Sequence, residues 1–450
     1  MRRILLCTII PLLLAGCKAL TGDQGNGELI GVNDRGRYLE PAPYGMVRIP
    51  AGTLQLGPND EDPTYAQDAF TRTISINSFY MDETEITNNE YRQFVHWVRD
   101  SILRRKMAER GIPGFVLEGE AYEGMDDLER PLNWKTRINP KDPDQAEAIE
   151  ELYYRPDERF FGKRQIDTRL LVYRYFWTDL KQAAQDKNRF DFNQSRYQGS
   201  VIDPVTGAQK NLERRTDLIL WDEVPVYPDT LCWVRDFSHA YNEPLTRMYF
   251  WHPAYGHYPV VGITWQQANA FCIWRTELLN KHLSSNRRSA VHDYRLPTEF
   301  EWEYAARGGL ALAKYPWGGP YTRNIEGCFL ANFKPLRGSY ADDGFAQTAR
   351  VASFFPNDYG LYDMAGNVAE WTSSAYDESA YMYVNDMNPD YKYQALPGDE
   401  PRMKRKVIRG GSWKDIEIFL QVSKRTYEYQ DSAKSYIGFR CVRDYLGNSI

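Results

Sequence analysis

The sequence predicts an α+β domain with little regular secondary structure and a long insertion, and three observations carry that expectation. Capping boxes with apolar residues at helical spacing occur at Thr87, Thr264 and Thr298. Short alternating runs bounded by Gly, Asn and Asp read as strands. The stretches between them are turn-rich, which suits an α+β domain with many loops.

Met46-Val-Arg-Ile-Pro-Ala-Gly-Thr-Leu-Gln-Leu-Gly57 alternates and ends on glycine, which reads as a strand and turn. Residues 74–81 read as a second strand. Thr87 and Glu90 then box the start of a helix whose Tyr91, Phe94, Val95, Val98 and Ile102 share one face. A second helix starts at Thr264 with Gln267, and Ala268, Phe271 and Cys272 lie on its expected inner side. A third starts at Thr298 with Glu301 and carries Trp302, Ala305 and Ala306. Residues 99–257 differ in character. They are dense in Arg, Asp and Tyr, show a helical start at 104–110, acidic-aromatic stretches such as Glu150-Glu-Leu-Tyr-Tyr-Arg155 and a mixed run at 167–180, and have no clear period. They read as an insertion and as the candidate partner-binding region.

The first residues bear on compartment. Arg2 and Arg3 precede an apolar run over residues 4–14, and Leu14-Ala-Gly-Cys17 follows. A short apolar run behind a positive start is a signal peptide, too short to span a bilayer. Small residues before a cysteine resemble the bacterial lipobox, with residues 1–16 removed and Cys17 acylated. The other reading is an ordinary signal peptide with a chance cysteine. Each buried CH₂ of an acyl chain contributes about 0.8 kcal/mol to anchoring. Residues 17–44, rich in Gly, Asn and Asp, read as a lipidated flexible tether.

Net charge is −6, or −8 without the two leader arginines, and there is no basic stripe, so nucleic acid is excluded as an expected partner. The 32 Tyr and 12 Trp suit protein interfaces and glycan binding alike. Beyond Cys7 and Cys17, the sequence has Cys232, Cys272, Cys328 and Cys441, in a compartment where disulfides persist. Four cysteines allow three full pairings, and the sequence alone does not choose.

Eight ordered segments resemble the formylglycine-generating-enzyme (sulfatase-modifying factor) family. They are Met46-Val-Arg-Ile-Pro-Ala-Gly-Thr, Asp82-Glu-Thr-Glu-Ile-Thr-Asn-Asn-Glu-Tyr, and Pro259-Val-Val-Gly-Ile-Thr-Trp-Gln-Gln-Ala with Phe271-Cys-Ile-Trp. Arg295-Leu-Pro-Thr-Glu-Phe-Glu-Trp-Glu-Tyr-Ala-Ala-Arg-Gly-Gly309 and Tyr315-Pro-Trp-Gly follow. Tyr359-Gly-Leu-Tyr-Asp-Met-Ala-Gly-Asn-Val-Ala-Glu-Trp371, Arg409-Gly-Gly-Ser-Trp and Gly438-Phe-Arg-Cys complete the set. The resemblance covers residues 45–98 and 258–445 and implies that family's C-type-lectin-like fold.

Active members of that family carry two copper-binding cysteines just after the Gly-Gly-Ser segment. Here the stretch from Gly410 to Arg425 contains no cysteine, and Asp415 stands where the first is expected. A carboxylate does not replace a thiolate as a soft copper ligand, so neither copper nor catalysis is expected. Related iron enzymes need a histidine-rich site. His96, His239, His252, His257, His282 and His292 show no such spacing, so iron is not expected. The resemblance also implies structural calcium, with one ligand set from Asn332, Asp343 and the carbonyls of Phe333 and Phe345. A second set comes from Asp363, Glu370 and the carbonyls of Gly366 and Val368. Such oxygen ligation suits a hard cation, although the same residues also make ordinary turns. The resemblance further implies a Cys272–Cys441 disulfide.

Lipobox, fold, missing thiols and insertion together resemble the GldK/PorK-like lipoproteins of gliding motility and type IX secretion. This implies a non-catalytic outer-membrane lipoprotein facing the periplasm, self-associated in a large ring with a GldN/PorN-like partner. Lys18, rather than an acidic residue, follows Cys17, which resembles outer-membrane sorting. The alternatives are a calcium-dependent glycan- or protein-binding module of the same fold and an uncharacterised oxidase.

Overall fold

The computed structural model describes residues 40–59, 70–119, 130–203, 207–236 and 243–447. The expected signal peptide, Cys17 and all but the end of the expected tether lie outside the described residues.

The domain opens as one bent antiparallel ribbon. Met46–Ile49 pairs with Phe79–Asp82, and Gly52–Leu56 pairs with Arg72–Ile76. The bend falls at Pro50 and Ala51, opposite Asn77 and Ser78. Pro50 has no N–H for a ladder. Ser78 Oγ donates to the Ile49 carbonyl at 2.8 Å, and the Asn77 N–H donates to Asn388 Oδ1 at 2.8 Å. Residues 46–57 and 74–81, each read as one strand, are therefore each broken in two, because side chains satisfy the polar groups at the bend.

Among the described residues two four-stranded sheets form, and the first of them takes in two strands of this ribbon. The first runs Met46–Ile49, Phe79–Asp82, Val442–Asp444, Tyr294–Arg295, all antiparallel. The second runs Thr426–Tyr429, Arg405–Arg409, Ala369–Ala375, Ile437–Gly438, with the last pair parallel.

All three capping boxes form, on the helices Asn88–Glu109, Trp265–Ser285 and Glu299–Ala306. Each satisfies N–H groups that a helix start leaves unpaired, and an N-cap of this kind contributes about 1 kcal/mol. The expected inner residues Tyr91, Phe94, Val95, Val98, Ala268, Phe271, Cys272, Trp302, Ala305 and Ala306 are buried, while Ile102 is half-buried. Tyr91 stacks on Phe271 with centroids 5.6 Å apart, which joins the two long helices. Among the described residues no helix is long and apolar enough to cross a membrane.

The first helix crosses the expected domain boundary at 98/99 without interruption, so residues 104–110 are its end rather than a new start. Leu103 and Met107 extend its buried stripe, and no Gly or Pro intervenes before Gly111. Gly111, at φ +72, then closes it. The Gly111 N–H donates to the Ala108 carbonyl at 2.8 Å and the Ile112 N–H to the Met107 carbonyl at 2.9 Å, the Schellman pattern. The end of this helix nucleates a separate small core of Leu103, Met107, Phe115, Ala148, Ile149 and Leu152.

Another part of residues 99–257 belongs to the main core. Val172–Thr178 pairs antiparallel with Ile219–Pro225. Tyr173 and Tyr175 point inward, and Tyr173 meets Phe94 edge to face at 5.3 Å. The run Val-Tyr-Arg-Tyr-Phe-Trp-Thr puts aromatics on both faces, so a count of apolar residues hides its period of two.

Candidate functional site

The strand Arg405–Arg409 ends in a corner that only glycine fits. Gly410 and Gly411 hold φ +93 and +68. A Cβ on Gly411 would lie 2.7 Å from the Phe419 carbonyl oxygen, and one on Gly410 would lie 3.1 Å from the Trp302 ring. The chain then folds back through a short turn, Glu417–Leu420. Ser412 Oγ donates to Asp415 Oδ2 at 2.6 Å, and burial pushes the Asp415 carboxyl above its ordinary range. Leu420 and Val422 are fully buried, Leu420 in a cluster with Tyr315, Ala331, Phe333 and Ala365. Where the resemblance places redox thiols, the chain therefore has a hydroxyl–carboxyl pair and apolar packing. Neither supplies a soft metal ligand.

Three arginines and two glutamates lie buried beside this corner. Arg425 donates to Glu299 at 2.6 and 2.9 Å, and Arg409 donates to Glu303 at 3.0 Å and to Glu299 at 3.3 Å. Arg307 Nη2 donates to Glu303 at 2.7 Å, and Tyr381 Oη donates to Glu303 at 3.1 Å. Burial pushes the Glu303 carboxyl up, but Arg307 and Arg409 outweigh it and hold it below the usual range. Every charge here has a partner, as buried charges require.

A second buried cluster holds Glu85, Asp363, Glu370 and Arg440. Arg440 donates to Glu370 at 2.8 and 2.6 Å, and Trp302 Nε1 donates to the same carboxylate at 2.7 Å. Both Glu370 oxygens thus have protein donors. Glu85 is fully buried and accepts from Asn367 Nδ2 at 3.0 Å. Burial first, then the charge of Asp363, lifts its carboxyl well above the ordinary range. Asp363 accepts the Ala352 N–H at 2.7 Å, and burial lifts it to about 6. Three carboxyls against one guanidinium make it costly to ionise Glu85 and Asp363 together. Glu85 and Arg440 lie in family segments far apart in the sequence. The resemblance joins Asp363 and Glu370, but no sequence signal brings Glu85 and Arg440 to them.

The implied calcium ligands divide into two cases. In the first loop, Asp343 accepts the N–H groups of Phe333 at 2.8 Å and Phe345 at 3.1 Å, whose carbonyls belong to the implied set. Asn332 Nδ2 donates to the Gln347 carbonyl at 2.9 Å, while its Oδ1 is buried without a hydrogen-bond partner. An open amide oxygen in the same loop as a half-buried carboxylate fits a hard cation. In the second loop, Gly366 donates its N–H to the Gly410 carbonyl at 2.9 Å, and Val368 is buried. Glu370 is already held by Arg440 and Trp302, so this loop fits a cation less well. Among the described residues, no group of three or more His, Cys, Asp or Glu is placed to hold a metal ion. His239 lies outside them.

The Cys272 and Cys441 sulfurs lie 3.5 Å apart in the core as two thiols. Cys232 is buried, which pushes its thiol far above the usual range, and Cys328 is exposed.

A family model for the sulfatase-modifying factor enzyme 1-like domain matches residues 37–213 and 223–445. The chain belongs to this family. Within the sulfatase-modifying factor family, it is 37% identical over 190 residues to the inactive C-alpha-formylglycine-generating enzyme 2 of Bos taurus, covering 41% of this chain and 50% of that protein. It is 27% identical over 412 residues to the formylglycine-generating enzyme of Bos taurus, covering 90% of this chain and 76% of that enzyme. The solved structure of PvdO from Pseudomonas aeruginosa aligns with a TM-score of 0.44 at 17% identity, covering 89% of this chain and 94% of that one. The chain spans about half the length of the inactive bovine relative it matches. Sulfatase-modifying factor relatives thus include a protein named inactive and proteins named as enzymes, and membership alone does not assign catalysis.

Proposed function

We propose that this chain is a non-catalytic structural lipoprotein of the GldK/PorK-like kind, held in the outer membrane by an acylated Cys17 and facing the periplasm. One observation carries the reading: no thiolate stands between Gly410 and Arg425. The Ser412–Asp415 pair and buried Leu420 and Val422 occupy that stretch instead. Copper has no soft donor there, and oxidation of a cysteine substrate is lost with it. The bovine relative named inactive is a precedent for a member of this family without the activity.

In this reading the retained fold serves assembly. The chain self-associates in a ring of a type IX secretion and gliding machine, together with a GldN/PorN-like partner. Exposed aromatics on residues 99–257 supply contacts, among them Phe176 and Trp221, which pair across the outer face of the Val172–Thr178 ribbon. Structural calcium at Asn332 and Asp343 steadies a loop-rich region. A Cys272–Cys441 bridge would close a long loop and contribute roughly 4–5 kcal/mol in the chain-entropy model. Mild detergent extraction from native membranes, followed by native sizing and mass spectrometry, tests the reading. A large hetero-complex is expected. A lone monomer in the extract and in crosslinked membranes would overturn it.

A further inference from the structure

The insertion presents an aromatic tip and, beside it, an open groove, and we propose that the Phe160–Phe161 tip of one copy seats in the groove of a second copy. Phe160 and Phe161 are 63% and 84% exposed, with ring centroids 4.4 Å apart. Phe161 holds φ 49 and ψ 34, a region that bulky side chains rarely adopt. The tip is braced from below. Tyr154 donates its N–H to the Gln165 carbonyl at 3.0 Å, and Asp167 donates to the Leu152 carbonyl at 2.8 Å. Arg159 Nε donates to the Tyr154 carbonyl at 2.9 Å, and Arg164 lies 3.9 Å over the Tyr153 ring. Both arginines pair with Glu150. A rigid aromatic anchor loses little freedom on docking.

The groove has a volume of about 460 Å³, ample for a phenyl ring, with an apolar lining from Leu103, Ile138, Ile149 and Leu152. Tyr153 and Ile166 line it too, and they also form the bridge at the base of the tip, so tip and groove are fixed side by side. The exposed tip does not fill its own groove. That placement suits reciprocal exchange about a twofold axis, each tip in the other copy's groove. Charge agrees. Asp157 beside the tip and Arg137 at the groove are both exposed, and neither has an ion-pair partner among the described residues. The inference rests on the self-association reading above and names the contact within one pair of copies; a second contact would join such pairs into the ring.

The test uses the full chain in detergent, with the photoreactive residue benzoylphenylalanine at position 161, and mixes isotopically heavy and light copies before irradiation. Heavy–light adducts on the groove residues are expected. Phe161→Ser should weaken self-association about tenfold or more by sedimentation. Asp157→Arg should lower adduct yield roughly two- to fivefold, and adding Arg137→Asp should restore it. All these positions are exposed, so melting temperatures matching the parent's are the folding control. Heavy–light adducts elsewhere, or adducts only to lipid or another protein while the chain still associates, would overturn the tip-and-groove contact and leave self-association standing. A chain that sediments as a monomer and crosslinks to no second copy in native membranes would overturn both.

Discussion

Lys406, on the strand Arg405–Arg409 of the second sheet, is buried, its Nζ donating to the Tyr393 carbonyl at 2.6 Å and lying 3.9 Å over the Trp265 ring. Burial pulls its pKa down to about 8, against the ordinary 10.5, although Asp390 pulls the other way. The folded chain therefore loses this proton before the unfolded chain does. Between about pH 8 and pH 10 the unfolded state binds more protons, so this group's contribution to stability rises with pH by about 3 kcal/mol. Lys406→Met should remove that slope. In urea titrations the variant should gain on the parent by about 3 kcal/mol more at pH 7 than at pH 10.5, and an unchanged difference would refute the assignment. Glu303→Gln should act in the opposite sense. It leaves Arg307 and Arg409 buried with one counter-charge removed, a loss of about 3–5 kcal/mol in denaturant titration. At this scale the sequence was least legible. Glu85, Glu299 and Glu303 look like surface residues in the chain, because a charged residue carries no local mark of burial, and the resemblance marks Glu370 as a cation ligand rather than as the partner of an arginine. Arginines that the fold brings to Glu299, Glu303 and Glu370, and Asn367 beside Glu85, make that burial tolerable.

The helices were legible because their starts are local. Each capping box needs only residues three positions apart, starting at Thr87, Thr264 and Thr298. The strands were less so. Pro50 could have flagged the bend in the first strand, but the matching break at Asn77 and Ser78 depends on Asn388, which is distant in sequence. The Gly410-Gly411 corner sits between these cases: two adjacent glycines signal a turn, while the reason for the second is the Phe419 carbonyl. Gly411→Ala should cost about 2 kcal/mol or more, since it combines a left-handed backbone with a 2.7 Å contact to main chain. Thermal melts of variant and parent would check this, and equal melting temperatures would refute it.

Across the molecule, the family's segments were legible in order, while the middle of the chain was not. Residues 99–257 read as an appendage, yet Leu171, Tyr173, Tyr175, Val224 and Val226 pack in the main core with the two long helices. Among the described residues two small cores stand apart, one around Met107 and Ile149 and one of Val201, Leu212 and Leu218. Calcium belongs to this scale too, since an ion at Asn332 and Asp343 would tie loops rather than make one bond. At calcium a hundredfold above its dissociation constant the gain is about 2.7 kcal/mol. Chelation should lower the melting temperature of the parent and leave Asp343→Ala unmoved, and a parent insensitive to chelator would refute the site. The proposed loss of catalysis rests on chemistry rather than shape, namely that a Gly-Gly-Ser corner without sulfur offers copper no soft ligand. The most direct measurement is to incubate the full chain with copper(I), oxygen and a sulfatase-type cysteine peptide, and to weigh the peptide by mass spectrometry. No conversion to formylglycine is predicted, and conversion that rises with the amount of chain would contradict the account.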